Sequence, residues 1–187
     1  MTIGLPFSGK TTLAEQYREQ GWEVIRRDEL LEGIVQGDDF KERVKKEVEK
    51  KEQILPGDLY NIRNKIAIEM ITKAVGVIVE QSESENFFYD GTNVQREMRA
   101  GILKLSEEGI EVSGIYLHVP LDELKQRMIR AHEVGERREQ FNEAAFRDIT
   151  IMASVFDEPT KEEGFSELIV KNETTSEQEL EFKHGMK

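Results

Sequence analysis

Gly4-Leu5-Pro6-Phe7-Ser8-Gly9-Lys10-Thr11 is the stretch on which the reading of the whole chain turns. It fits the pattern G-x-x-x-x-G-K-[ST], in which each fixed position has a physical job. The glycines let the backbone turn tightly and bring its N–H groups onto phosphate oxygens, and the helix that follows points its positive end at the same anion. Lys10 supplies a mobile positive charge to the β- and γ-phosphates, and the Thr11 hydroxyl is placed to ligate Mg²⁺. The candidate ligands are therefore ATP and Mg²⁺, with Gly4, Pro6, Phe7, Ser8, Gly9, Lys10, Thr11 and Thr12 as the binding residues. A glycine turn that merely precedes a lysine is the plain alternative. Context weighs against it, because the stretch lies between an apolar start, Met1 to Ile3, and a helical pattern from about Lys10 to Gln20.

Outward from the loop, Trp22 to Arg26 reads as a second strand, and Asp28 stands where an N-cap would open a helix from Glu29 to Gln36. Asp38 to Gln53 is so charged that only Phe40, Val44 and Val48 recur on one face, the mark of an exposed helix. Pro56 and Gly57 punctuate the chain. From Asp58 a long core helix is expected, with Leu59, Ile62, Ile66, Met70, Ala74 and Ile78 on its buried face. Phe87 to Tyr89 is a short strand, and Thr92 with Gln95 has capping-box spacing for a helix to about Glu108, stopped by Gly109. A strand from Val112 to Val119, a helix from Pro120 to about His132, another to Phe156 and a strand from Phe165 to Val170 complete the pattern. Strands separated by helices make a parallel sheet with right-handed crossovers the expected topology. Residues 1–170 are expected to form one domain and 171–187 a loose polar tail.

Composition narrows the function classes. The chain has 187 residues, enough to bury a core without a metal or disulfide staple, and it contains no cysteine. Thiolate chemistry and thiolate zinc sites are excluded, and a reducing, cytoplasmic setting is expected. No apolar run approaches the roughly 20 residues of a membrane span. The net charge of -12 repels nucleic acid, so a polyanionic substrate needs a local basic patch.

Among the other residues, Asp28 lies at the carboxyl end of its strand, where open α/β sheets bind ligands. It is suited to accept a proton from an attacking hydroxyl, or to cap its helix, and one carboxylate could do both. Asp90 ends the run Phe87-Phe88-Tyr89, either as an acidic group near Mg²⁺ or as a turn aspartate before Gly91. Arg127 and Arg130 share a helix face beside a charged segment carrying Arg137 and Arg138; they are candidate lid arginines for a triphosphate, or solvated surface charges. His118, His132 and His184 are scattered and suggest no metal site, and Trp22 reads as packing at the second strand.

Taken together, Gly4 through Thr12, Arg27-Asp28, Asp90-Gly91-Thr92-Asn93, Arg127 with Arg130, and the run Phe156-Asp157-Glu158-Pro159-Thr160 to Glu163-Gly164-Phe165 resemble the polynucleotide-kinase-like P-loop kinases. These are small AAA-type kinases that include the kinase domain of phage polynucleotide kinase. The resemblance implies a P-loop NTPase fold with a five-stranded parallel sheet of nucleotide-kinase type and a small arginine-bearing lid. It also implies ATP with Mg²⁺ in the loop, Asp28 as general base toward an acceptor hydroxyl, and arginines on the phosphates. Phe7 stands where glycine is usual and Gly91 where alanine is usual. The expected activity is transfer of the γ-phosphate to an acceptor hydroxyl, with a polynucleotide 5′-hydroxyl favoured. A small-molecule kinase of the same fold, or an ATP-binding switch or scaffold module, is the alternative.

Overall fold

Successive strands of this protein are separated in sequence by helices, and the elements fall into parallel sheet and helix layers. The computed structural model describes residues 1–133 and 143–172. In chain order the elements are β1 (Thr2–Ile3), α1 (Lys10–Glu19), β2 (Glu23–Arg26), α2 (Arg27–Gln36), α3 (Asp38–Glu49), α4 (Asp58–Gln81), β3 (Phe87–Asp90) and α5 (Arg96–Leu103). After a 3-10 turn, Lys104–Glu108, come β4 (Gly114–His118), α6 (Leu121–Glu133), α7 (Glu143–Ser154) and β5 (Leu168–Asn172).

All strand pairs are parallel, but the five strands do not join in one sheet. They form a three-stranded sheet in the order β1-β4-β5 and a two-stranded sheet of β2 and β3. This corrects the expectation of a continuous five-stranded sheet. The cause is the brevity of β1, whose two residues pair with β4 through Thr2 opposite Ile115 and Ile3 opposite Tyr116. Toward β3 it offers a side chain instead: the Thr2 hydroxyl accepts the Gly91 N–H at 3.2 Å and lies 3.2 Å from Gly91 O and 3.4 Å from Tyr89 O.

Side chains alternate across a strand, so adjacent residues serve opposite layers. Phe88 faces α1, where Leu13, Ala14 and Tyr17 pack with it and with Ile115 and Leu117. The Tyr17 ring lies 4.4 Å from that of Phe88 and 4.8 Å from that of Trp22, which gives Trp22 its packing role. Tyr89 belongs instead to the cluster with Ile25 that α4 covers through Ile71 and Val75, and α5 through Ile102.

The fully buried residues of α4 are Ile66, Ala67, Ile71 and Val75; of the expected row Ile66 is buried, Ile62, Met70, Ala74 and Ile78 are half-buried, and only Leu59, 47% exposed, lies outside. Only the later part of α4 joins the sheet core. Its earlier part meets α2 and α3, with Phe40 against Ile66 and Ala67, and this second contact widens the apolar face. Helix starts also differ from expectation. α2 begins at Arg27 with Arg26 as N-cap, so Asp28 lies within the first turn instead of capping it. Gln95, not Thr92, is the N-cap of α5, with no side-chain cap bond; a capping box is formed instead by Thr160 and Glu163. α3 stops at Glu49, β4 is trimmed to Gly114–His118, and β5 runs on to Asn172, past the expected domain end at 170. No helix among the described residues is long and apolar enough to cross a membrane.

Candidate functional site

The loop from Gly4 to Gly9 leaves β1 and enters α1 through three backbone positions with positive φ. Gly4 has φ +153°, and a Cβ there would lie 2.8 Å from Ser8 Oγ and 2.9 Å from Leu117 O, so only glycine fits between the loop and β4. Gly9, the N-cap of α1, has φ +95°. Phe7 is held at φ +66°, a conformation that costs a non-glycine residue on the order of 1–3 kcal/mol. Its ring packs with Leu5 against Val119, Leu124, Met128 and Ile149, so apolar burial offsets the strain and ties the loop to α6 and α7. That explains how phenylalanine is tolerated where the resemblance places glycine.

No side chain caps α1, so its first N–H groups face the loop hollow without a side-chain acceptor of that kind. Lys10 is 8% exposed and folds back over the loop, its Nζ 2.7 Å from Leu5 O and 3.5 Å from Ser8 Oγ. Thr11 and Thr12, in the first turn, are exposed. An uncapped helix start, a backbone cradle and a buried ammonium are the donor set an anionic phosphate chain requires. A cavity of about 180 Å³ beside the loop, between Leu5, Ser8, Tyr116, His118 and Phe156, gives it a flank of mixed polar and apolar character on the β4 side.

Asp90 and Asp28 lie at the carboxyl edge shared by β2 and β3, where Arg26 stands opposite Asp90 in register. The Asp90 carboxyl is 3.3 Å from the Thr2 hydroxyl. Burial lifts its pKa above the usual carboxylate value; Lys10, the Thr2 hydroxyl and Arg26 pull it back down, and Asp28 pushes it up. Lys10, Arg26, Asp28 and Asp90 are thus within electrostatic reach of one another. Asp28 has an 89% exposed side chain, with Arg27 Nη1 3.7 Å from its Oδ1, so it is open to an incoming group. Arg26 is itself drawn to Glu15 of α1 and lies 3.8 Å from Glu29.

The two arginines of α6 are placed differently. Arg127 Nε donates to Glu123 Oε1 at 3.0 Å and Arg130 Nη2 to the same oxygen at 2.9 Å. The hydrogen bond from Arg127 is the first cause of the lowered pKa of Glu123. α6 is packed on the loop through Leu124 and Met128, so both arginines belong to a helix that borders the site, and in this arrangement both hold a carboxylate. Arg137 and Arg138 lie outside the described residues. His118 is exposed, with Nδ1 3.2 Å from Asn172 Oδ1.

Sequence reasoning passed over Arg99, the centre of the group that supports the loop from below. Arg99 is fully buried and grips Glu163 with two bonds of 2.7 Å, while its Nη1 donates to Asn93 O (3.1 Å) and Val94 O (3.2 Å). Asn93, also fully buried and at φ +47°, donates to Thr2 O at 2.7 Å, and the Gly4 N–H reaches Thr92 O at 2.9 Å. A chain of bonds therefore runs from Glu163 through Arg99 and the 92–94 turn to both ends of β1. One signal was available. Arg99 precedes Ile102 and Leu103 by three and four residues, which puts a charge on the apolar stripe of α5.

A family model described as an AAA domain matches residues 1–159. No curated protein matches the chain. Among solved structures, the crystal structure of TT1252 from Thermus thermophilus is similar with a TM-score of 0.55, covering 94% of this chain and 87% of that one at 16% identity. At that identity the likeness is one of fold.

Proposed function

The chain belongs to the AAA domain family, and from that premise we propose that it is a P-loop phosphotransferase that moves the γ-phosphate of ATP to an acceptor hydroxyl, most simply the 5′-hydroxyl of a polynucleotide. The observation that carries this reading is the meeting of an uncapped α1 and the Lys10 ammonium with two carboxylates, Asp28 and Asp90, at one edge of the strands. The loop residues Gly4 to Thr12 hold the triphosphate, with Lys10 balancing charge on its outer phosphates. Thr11 and Asp90 are the residues to hold Mg²⁺, which when bound neutralises phosphate charge. Asp28, exposed and flanked by Arg27, accepts the proton of the acceptor hydroxyl. The acceptor oxygen then bonds to the γ-phosphorus as the bond to the ADP oxygen breaks. Arg127 and Arg130 serve as phosphate ligands once they exchange the Glu123 carboxylate for phosphate oxygens.

A small hydroxyl compound as acceptor is the second reading, favoured by the overall charge of -12. Incubation with γ-labelled ATP and Mg²⁺ against 5′-hydroxyl RNA and DNA oligonucleotides and a panel of small hydroxyl compounds separates the two. Label on the oligonucleotide is the expected result. Label only on a small molecule transfers the activity to the second reading, and nucleotide-dependent partner binding without any transfer points to a switch module.

A further inference from the structure

Four large apolar side chains stand exposed within one short stretch: Ile54, Leu55, Leu59 and Tyr60, the last 68% open. The turn that presents them is pinned. Asp58 accepts bonds from Lys51 Nζ and the Leu55 N–H, both 2.8 Å, and its own N–H reaches Leu55 O at 3.1 Å. Apolar surface that is fixed in place yet left open to water marks an interaction face.

The fold gives this face a direction. α4 leads into the start of β3 and so runs antiparallel to it, and Ile71 shares a cluster with Tyr89, next to Asp90 at the end of β3. Leu59 lies twelve residues before Ile71, which at 1.5 Å per residue puts it about 18 Å further along the helix, past the carboxyl edge of the strands. That is the edge carrying Lys10, Asp28 and Asp90. The exposed stretch therefore crowns the wall that α2, α3 and α4 raise on the Asp28 side.

Its charge is the reverse of the whole. Residues 41–65 hold eight lysines and arginines against five aspartates and glutamates, a net of +3 in a chain of -12. Two further acidic residues, Asp38 and Asp39, stand at the far end of α3. Pairs such as Lys46 with Glu42 and Lys50 with Glu47 are exposed on both sides. Exposed pairs of this kind are weak and yield readily to a phosphate. An aromatic ring for base stacking, on a segment of net positive charge for the backbone, is a composition that holds single-stranded nucleic acid without reading its sequence.

We propose that Tyr60, with Leu59, Leu55 and Ile54 around it, is a stacking platform for a single-stranded polynucleotide acceptor, engaging nucleotides 3′ of the one whose 5′-hydroxyl is phosphorylated. The proposal rests on the phosphotransferase reading for which end of the strand enters the site. The test uses the whole chain and an eight-nucleotide 5′-hydroxyl DNA with a fluorophore at its 3′ end, scored by anisotropy and by label transfer. Tyr60→Ala is expected to weaken oligonucleotide binding about 5–150-fold and raise the acceptor KM alike. Tyr60→Phe restores both, and ATP affinity and melting temperature stay at the wild-type values. The effect shrinks for a dinucleotide too short to reach the platform. Oligonucleotide binding that does not change in Tyr60→Ala overturns the platform and leaves the phosphotransferase reading standing. Tyr60-dependent binding without label transfer sinks that reading and keeps the platform. A wild-type chain that binds no oligonucleotide, or a Tyr60→Ala change confined to self-association in sedimentation, overturns the proposal in favour of a protein contact.

Discussion

Glu163→Gln isolates the buried ion pair beneath the loop. Arg99 is 0% and Glu163 3% exposed at the side chain, so neither charge has water to fall back on. In the native protein the guanidinium spends two bonds on Glu163 and two on the Asn93 and Val94 carbonyls, and Glu163 Oε1 also accepts the Thr160 N–H at 3.1 Å. Glutamine keeps the shape but turns an NH₂ toward a donor and leaves the arginine charge uncompensated. Breaking a buried pair from one side costs about 3–5 kcal/mol. Against a total stability of roughly 5–15 kcal/mol the loss is a large fraction, and it lowers the melting temperature by roughly 6–20 °C for a domain of this size. Urea denaturation followed through Trp22, the single tryptophan, gives the measurement. Replacing both partners, as in Arg99→Met with Glu163→Leu, recovers part of the loss by removing the orphan charge; the rest persists because Asn93 O and Val94 O lose their donor. A single variant within about 1 kcal/mol of wild type, or a double variant no better than the single, would refute the argument.

Lys10→Ala is expected to abolish ATP turnover and weaken nucleotide binding, as measured by label transfer and calorimetry; unchanged turnover removes the phosphotransferase reading. Asp28→Asn lowers transfer by roughly 10²–10⁴-fold while ATP affinity and melting temperature hold, because the side chain is exposed and caps nothing. The raised pKa of Asp90 sets a sign: the carboxylate is available to a cation above that pKa and lost below it, so Mg²⁺-nucleotide affinity falls as the pH drops through it. Since burial disfavours its charged form, Asp90→Asn flattens this pH profile and leaves folding stability at neutral pH no lower; a parallel profile in the variant rejects Asp90 as the titrating group. Gly4→Ala meets Ser8 Oγ and the Leu117 carbonyl and is expected to impair nucleotide binding, checked by titration of the purified variant.

The loop was legible because its determinants are local: two glycines, a lysine and a hydroxyl residue in fixed order dictate the turn and the helix start. The strand–helix alternation was legible for the same reason, through periods of two and 3.6 residues. What escaped was set by distant partners. Arg99 and Glu163 are 64 apart in sequence, and nothing near either names the other. The buried side of α4 widened to Ala67 because α2 and α3 pack on it from Ile62 to Met70, a tertiary contact that no helical period records. The capping box assigned to Thr92 matched a spacing but not a conformation, since the 92–94 turn is committed to β1 and Arg99.

The brevity of β1 has a mechanical side. Between the β1-β4-β5 and β2-β3 ladders runs a seam, crossed at Thr2 and Gly4 by a few bonds instead of a cooperative row of backbone rungs. One hydroxyl proton on Thr2 is shared among Tyr89 O, Asp90 Oδ1 and Gly91 O, so it satisfies one of them at a time. Hydrogen exchange is accordingly expected to resolve the two ladders as separate opening units. Lys10 follows β1 on one bank and Asp28 follows β2 on the other. A donor and acceptor held between them would act as the missing rungs, welding into one body the halves that the backbone leaves only stitched.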